Sequence, residues 1–487
     1  MARIQNRGVI LLAAALSVAP ILYAVDLPAR IQKTLETAQW IRRGFLGLEI
    51  VDLATGKILF ESNADRLFVP ASNSKLFTTA LALTRLGPAY RFQTTVIASS
   101  GPDRDGRIAG PVSLVGGGDP NLSGRELPYR VDSPAGDGLQ PIADLAAQMV
   151  ARGVRRIDGD IIGDDTAYTW DPYPEGWALG DALWEYGAPV SALTINDNAF
   201  TLRLTPGDPA GISIDPPLEF YQLDNLVQPG PARKIRIGRE PGSRQLRISG
   251  TLPLKDPGVT EVLAIHDPAL YAAVALRDAL TRNGVAVQGE AVARHALPGE
   301  AAGLPSGVEL ARRDSAPLIE DLRVTAKVSQ NLHAELLFRA VARARRGSGS
   351  VDAGMDEMRA FLKEAGITPG EFQASDASGL SRLNLVTPAA VVKLLQFLYR
   401  SPYREDWMSL LPIGGEDGTL RLRLRDTSAA GRIRAKTGSL THVTALSGYA
   451  ERKDGSMLAF SFLANNQGAS ASEVRAVLDR LCVLMTE

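Results

Sequence analysis

Cysteine is almost missing from these 487 residues. Cys482 stands alone, so no intramolecular disulfide and no cysteine-based metal cluster can form. Histidine is scarce too. His266, His295, His333 and His442 form no H-E-x-x-H pair, which removes support for a zinc protease. Neither charge sign dominates: 53 Lys and Arg face 54 Asp and Glu, for a net charge of -1. A nucleic-acid binder needs a basic surplus on some face, so that partner class is not expected. Long blocks of one sign are lacking as well, and the Arg-rich stretch 339–346 reads as the solvated end of a helix. No G-x-S-x-G elbow is present to support a Ser-His-Asp hydrolase. Gly116-Gly117-Gly118 is not followed by G-K-[ST] and reads as a tight turn, not a phosphate loop. No metal or organic cofactor is implied.

Long apolar runs are confined to the start of the chain. Arg3 and Arg7 precede an apolar stretch over residues 9–18, with the small residue Ala24 before Val25. That order reads as a secretory signal over residues 1–24, cleaved after Ala24. The alternative is an uncleaved anchor. The run is interrupted by Pro20 and falls short of the ~20 residues that span a bilayer. A soluble, exported protein without a membrane span after cleavage is expected, placed in the periplasm. Apolar residues make up 45% and charged ones 22%, the mix of a globular protein large enough for several domains.

Residues 47–62 read as a hairpin around Ala54-Thr55-Gly56-Lys57. A helical pattern over residues 72–86 stops at Gly87-Pro88. Strands are expected at 92–98 and 112–115. Ile142, Leu145, Ala146, Met149 and Val150 share one helical face, with a strand over 157–162. Alternation over 198–257 predicts a β-rich region, and 267–283 is helical again. From Ser315 the texture changes. Helices are expected at 318–327, 331–345, 355–365 and 388–400, strands at 433–436, 443–451 and 457–464, and a last helix at 471–484. Antiparallel strands with helices on both sides predict an α/β/α layer, which the opening hairpin could complete. The middle of the chain would then be an insertion.

Three short patterns carry chemistry. Ser72-Asn73-Ser74-Lys75 puts Ser72 and Lys75 three residues apart at a helix start, on one face. A serine hydroxyl needs a base to take its proton. Lysine serves if its pKa falls from ~10.4 toward ~7–8 through burial or a second cation. Free N–H groups at the helix start can also hold an oxyanion. Ser329-Gln330-Asn331 precedes another helix and reads equally as a helix cap. Lys436-Thr437-Gly438-Ser439 opens a strand, where a cation with hydroxyls can hold a carboxylate and Gly438 permits close approach of another backbone. An ordinary strand end with a turn glycine is the alternative. Each pattern alone is weak, but S-x-x-K, S-x-N and K-T-G in this order form a recognised set.

With these segments the chain resembles the class C low-molecular-mass penicillin-binding proteins, of the D-alanyl-D-alanine carboxypeptidase/endopeptidase type. The matching stretches include Pro70-Ala-Ser-Asn-Ser-Lys-Leu, Gly118-Asp-Pro-Asn-Leu, Asp376-Ala-Ser-Gly-Leu-Ser-Arg, Gly418-Thr-Leu and Ala435-Lys-Thr-Gly-Ser-Leu. The resemblance runs from about Ile31 to Leu484. Gln330 departs from it, since Asp is more common there.

The resemblance implies a multidomain α/β fold. A transpeptidase-like catalytic domain would comprise residues 25–92 and 312–487. Two smaller domains would be nested within it: a β-rich one from 93–115 and 198–311, and an α/β one from 116–197. It also implies roles. Ser72 attacks the carbonyl between two D-alanines and Lys75 takes its proton. Ser329 relays a proton to the leaving amine, with Lys436 nearby. Asn331 holds the substrate peptide and Lys75. Thr437 and Ser439, around Gly438, bind the terminal carboxylate, and the N–H groups of Ser72 and Ser439 form the oxyanion hole. Asp181 and Tyr186 fall where the family contacts the stem peptide. Asp181 would pair with the ammonium of a diamino acid there, or else cap a local helix. Expected partners are peptidoglycan stem peptides and, as inhibitors, β-lactam antibiotics. The state is monomer or homodimer. A class A β-lactamase fits less well, because Ser72 and Ser329 lie 257 residues apart and no E-x-x-L-N segment intervenes.

Overall fold

The structure, a computed structural model, describes residues 26–130, 136–300 and 303–487. The leader read in residues 1–24 lies outside these. Among the described residues no helix is long and apolar enough to cross a membrane.

The first and last parts of the chain build one antiparallel sheet. Its strand order is Ile433–Leu440, Val443–Glu451, Met457–Asn465, Phe45–Asp52 and Ile58–Ser62. The opening hairpin therefore completes the C-terminal sheet, with Phe45 paired to Asn465 and Asp52 to Leu458. Alternation sorts the side chains onto two faces. Leu46, Leu48 and Ile50 join Phe460, Phe462 and Leu446 against the helices Leu27–Thr37 and Ala471–Thr486. Ala445, Tyr449, Ala459 and Leu463 point the other way, into a core with the helices Ser74–Leu86, Leu318–Lys327, Asn331–Arg346 and Pro388–Arg400. Both faces are buried, which makes the central strands near-continuous apolar runs and gives the α/β/α layer.

The helix borders follow local chemistry. Ser470 and Glu473 form a capping box at the last helix. Gly347, with φ 77°, ends Asn331–Arg346 in the left-handed region. The Arg-rich end of this helix is only partly solvated as expected, because Arg339 is fully buried and donates to the carbonyls of Thr169 and Asp171. Two helices left unassigned by pattern, Leu27–Thr37 and Arg404–Leu410, also form.

The middle of the chain has its own core. A mixed sheet runs Ala291–Ala296, Ile161–Thr169, Val112–Val115, Gln93–Ala98 and Val308–Asp314. Here the topology cuts across the expected division. Strand Ile161–Thr169, assigned above to the α/β insertion, lies between strands assigned to the β-rich one. The reason is two consecutive β-α-β crossovers. Helix Gln140–Ala151 brings Ile161–Thr169 back parallel to Val112–Val115, and after the strands over 199–264 helix Pro268–Arg282 brings Ala291–Ala296 back parallel to Ile161–Thr169; the two helices pack against each other beside this sheet. Three three-stranded sheets complete the region, one over 199–264, one over 222–252 and a short parallel one of Arg107–Ile108, Arg156–Ile157 and Ala286–Val287, and apolar residues of all three share its core.

Candidate active site

Three elements converge at the start of helix Ser74–Leu86. Pro70 leads into a 3₁₀ turn, Ala71–Asn73, so the regular helix begins two residues later than expected. Ala71 is fully buried with φ 49°, a conformation that costs an L-residue about 1–2 kcal/mol. Two glycines hold it there. A Cβ on Gly379 would lie 1.9 Å from the Ala71 carbonyl oxygen, and one on Gly438 would lie 2.6 Å from that of Pro70. The glycine of Lys436-Thr437-Gly438 thus lets the edge strand close onto the Ser72 turn. Asn73 fixes the turn to the sheet by donating to Ser447 Oγ at 2.8 Å.

Lys75 is fully buried and its Nζ has three oxygen neighbours. Ser72 Oγ is at 3.0 Å, Asn331 Oδ1 at 2.6 Å and the Ser378 carbonyl at 2.6 Å. Burial pushes the Lys75 pKa down from 10.5 to about 8, with the carboxylates of Asp376 and Glu335 opposing the fall. Two of the three contacts can only accept. A neutral lysine spends two N–H groups on them and turns its lone pair to the Ser72 hydroxyl. Of the two causes that the sequence left open, burial and a second cation, burial is the main one here. The repulsion appears on Lys436, whose pKa is driven well below its ordinary value by burial and then by Lys75.

Lys436 Nζ donates to Ser329 Oγ at 2.7 Å and to the Thr437 carbonyl at 2.9 Å. Ser329 has φ 69°, so it turns out of the helix that follows. The cap of that helix is Gln330, not Ser329 or Asn331: its Oε1 accepts from the Leu332 N–H. Gln330 Nε2 also donates to Asp197 Oδ2 at 3.2 Å. Burial alone would raise the Asp197 carboxyl, but Arg125 and His333 more than reverse it and keep it ionised. An Asp at position 330, usual in this pattern, would meet that charge, and a neutral amide donor does not.

On the edge strand, the Ala435 N–H donates outward to the Pro412 carbonyl. By strand alternation the N–H groups of Thr437 and Ser439 face the same free edge, beside the Ser72 turn. Thr437 Oγ1 donates to Thr419 Oγ1 at 2.8 Å, so Gly418–Leu420 adds a second hydroxyl. The segment with Asp181 and Tyr186 approaches from the middle of the chain. The Tyr186 carbonyl accepts from Asn331 Nδ2 at 2.8 Å. Asp181 Oδ2 accepts from the Ala178 N–H at 3.0 Å, which is the capping role, while Oδ1 takes the Tyr186 hydroxyl at 3.3 Å. Sequence reasoning gave no role to Glu335, Asp376, Ser378 or Thr419. Asp376, Ser378 and Thr419 lie in segments that carry the resemblance, but Glu335 carried no signal, since a carboxylate four residues into a helix is ordinarily solvated.

Across this arrangement, residues 27–485 match the D-Ala-D-Ala carboxypeptidase 3 (S13) family. The chain belongs to that family. Like its other members it is a peptidase, a serine-type hydrolase. It is 35% identical over 458 residues to the D-alanyl-D-alanine carboxypeptidase of Actinomadura sp. (strain R39), covering 91% of this chain and 81% of that one. Identity to the D-alanyl-D-alanine carboxypeptidase DacB of Haemophilus influenzae is 26%, covering 85% and 84%. The crystal structure of penicillin binding protein 4 (dacB) from Haemophilus influenzae superposes with a TM-score of 0.79 at 24% identity, over 93% of this chain and 97% of that one. A second structure of that protein, complexed with a β-lactam, gives 0.75. These two superpositions fix the S13 fold.

Proposed function

We propose that this S13 peptidase works through an acyl-enzyme on Ser72 and releases the terminal D-alanine of peptidoglycan stem peptides. The observation that carries this reading is the Lys75 contact. Its Nζ lies 3.0 Å from Ser72 Oγ while Asn331 and Ser378 occupy it from other sides. Ser72 Oγ bonds to the carbonyl carbon between the two D-alanines, and its proton passes to Lys75. The N–H groups of Ser72 and Ser439 take the oxyanion. The C–N bond then breaks, with the proton held by Lys75 relayed through Ser329 to the departing amine, so that Lys75 is neutral and Ser329 keeps its hydroxyl. Water cleaves the ester and restores the Ser72 hydroxyl. Lys436 stands beside Ser329. A substrate carboxylate at the Thr437 and Thr419 hydroxyls would return charge to Lys436 by pairing with it.

The same hydroxyls can hydrogen-bond an amide oxygen, which favours D,D-endopeptidase cleavage of cross-links as a second activity. β-Lactams would acylate Ser72 and leave slowly. The leader sequence supports a periplasmic site of action. Incubation with purified linear and cross-linked muropeptides tests the reading: free D-alanine and split dimers are expected. Neither product from a folded enzyme would refute it.

A further inference from the structure

Two buried carboxylates, Asp376 and Glu335, lie behind Lys75 and take no part in the chemistry proposed above. Asp376 is 2% exposed and saturated with donors. Its Oδ1 accepts from the Gly379 N–H at 2.8 Å and from Asn384 Nδ2 at 2.5 Å. Its Oδ2 accepts from Ser378 Oγ at 2.8 Å, the Ser381 N–H at 2.9 Å and Trp177 Nε1 at 2.9 Å. Glu335 Oε1 accepts from the N–H groups of Ala377 and Ser378 at 2.9 and 2.8 Å.

One peptide group links these contacts to the base. The Gly379 N–H and the Ser378 carbonyl belong to the same planar unit. Its N–H points at Asp376, and its oxygen receives Lys75 Nζ at 2.6 Å. A carboxylate on the N–H end polarises the unit and strengthens the acceptor at the other end. Residue 379 must be glycine here, because its backbone crosses the Ala71 carbonyl.

We propose that Asp376 is a positioning residue for acylation: through the Ser378–Gly379 peptide it holds one Lys75 N–H and so keeps the lysine lone pair on Ser72. This rests on the reading of Ser72 as nucleophile and Lys75 as base. The charged groups around Lys75 are Asp376 on the loop, Glu335 on helix Asn331–Arg346 and Lys436 on the edge strand. Burial, and then Asp376, push the Glu335 pKa up to about 8. Both carboxylates act on Lys75, and Asp376 acts on it more strongly than Glu335 does.

The test is the pH profile of Ser72 acylation by a fluorescent penicillin in the full-length enzyme, with Asp376→Asn, Asp376→Glu and Glu335→Gln. Asp376→Asn removes the charge that opposes Lys75 deprotonation. The acid limb should move down by about one pH unit, and the plateau should fall by about tenfold or more. A merely structural role lowers the rate equally at every pH. Glu335→Gln keeps the carbonyl oxygen and removes the weaker of the two charges, so the limb should persist and move less than in Asp376→Asn. A limb that persists in Glu335→Gln also assigns it to Lys75 and not to Glu335, which titrates in the same range. Should Asp376→Asn not fold, Asp376→Glu decides. It keeps the charge but displaces the peptide, so the plateau should fall about tenfold with the limb and the penicillin affinity unchanged. A folded Asp376→Asn enzyme with an unmoved limb, or Asp376→Glu at the wild-type rate, overturns the proposal. Wild-type enzyme labelled on a serine other than Ser72 overturns the underlying reading instead.

Discussion

Acylation of Ser72 should gain about tenfold in rate for each pH unit between 5.5 and about 7.5, then level off above about 8. The magnitude follows from the burial of one amine. At its ordinary pKa of 10.5, Lys75 would be neutral in about one molecule in 3,000 at pH 7. With the pKa pushed down to about 8, the neutral share is about one in ten. Burial thus enlarges the reactive population by about 300-fold, equivalent to about 3.4 kcal/mol. The same shift has a cost in stability. The folded pKa lies below the unfolded one, so below pH 8 the folded protein carries a buried ammonium at the full penalty. Between about 8 and 10.5 the unfolded chain holds a proton that the folded chain has lost, and stability rises with pH. Lys75→Met removes that term. Its stability relative to wild type should therefore decline as pH rises through this window, in urea denaturation series. The kinetic assay is rapid-quench labelling with a fluorescent penicillin. A flat profile from pH 6 to 9, or a midpoint near 10, would refute the assignment of Lys75 as a buried neutral base. So would a Lys75→Arg enzyme that acylates at the normal rate, since arginine stays charged at every working pH.

Three further outcomes are expected. Gly438→Ala puts a Cβ 2.6 Å from the Pro70 carbonyl oxygen, which must push the edge strand off the Ser72 turn. Acylation should fall at least tenfold while far-ultraviolet circular dichroism stays native, and an unimpaired variant contradicts the close approach. Thr437→Val should weaken cleavage of peptides with a free C-terminal carboxylate more than acylation by esters lacking one; steady-state kcat/KM on both substrates makes the comparison. Asp181→Asn should lower kcat/KM for a stem peptide with a free diamino-acid ammonium and spare the same peptide acetylated on that amine. Equal losses would assign Asp181 to capping the 178–183 turn alone.

Much of the fold was legible because its signals are local. Ser470 with Glu473 and Gly347 each mark a helix border in the sequence alone. The three short patterns could be read as one site only from their order, since nothing local ties Ser72 to residues more than 250 positions away. What escaped depends on tertiary contact. Ala71 in a left-handed turn carries no signal, because its conformation is imposed by Gly379 and Gly438 from two other segments. Glu335 resembles any helical glutamate until the Ser378 loop buries it. The sequence left burial and a second cation open as the cause of a neutral Lys75, and burial does most of that work. Burial depends on all the elements packed around the amine, which no single segment records. The nested middle was misdivided for a related reason. Strand Ile161–Thr169 reads the same whether it pairs within its own segment or with Ala291–Ala296, and only the parallel crossovers decide.

The central claim is that Ser72 forms the covalent acyl-enzyme. Intact-mass and peptide mapping of the enzyme after brief exposure to penicillin G tests it most directly, with Ser72→Ala run in parallel. One penicilloyl group on the peptide containing Ser72, absent from a folded Ser72→Ala enzyme that has lost about 10⁴-fold or more of its peptidase rate, is the predicted result. An adduct on any other serine, or undiminished labelling of Ser72→Ala, would contradict it.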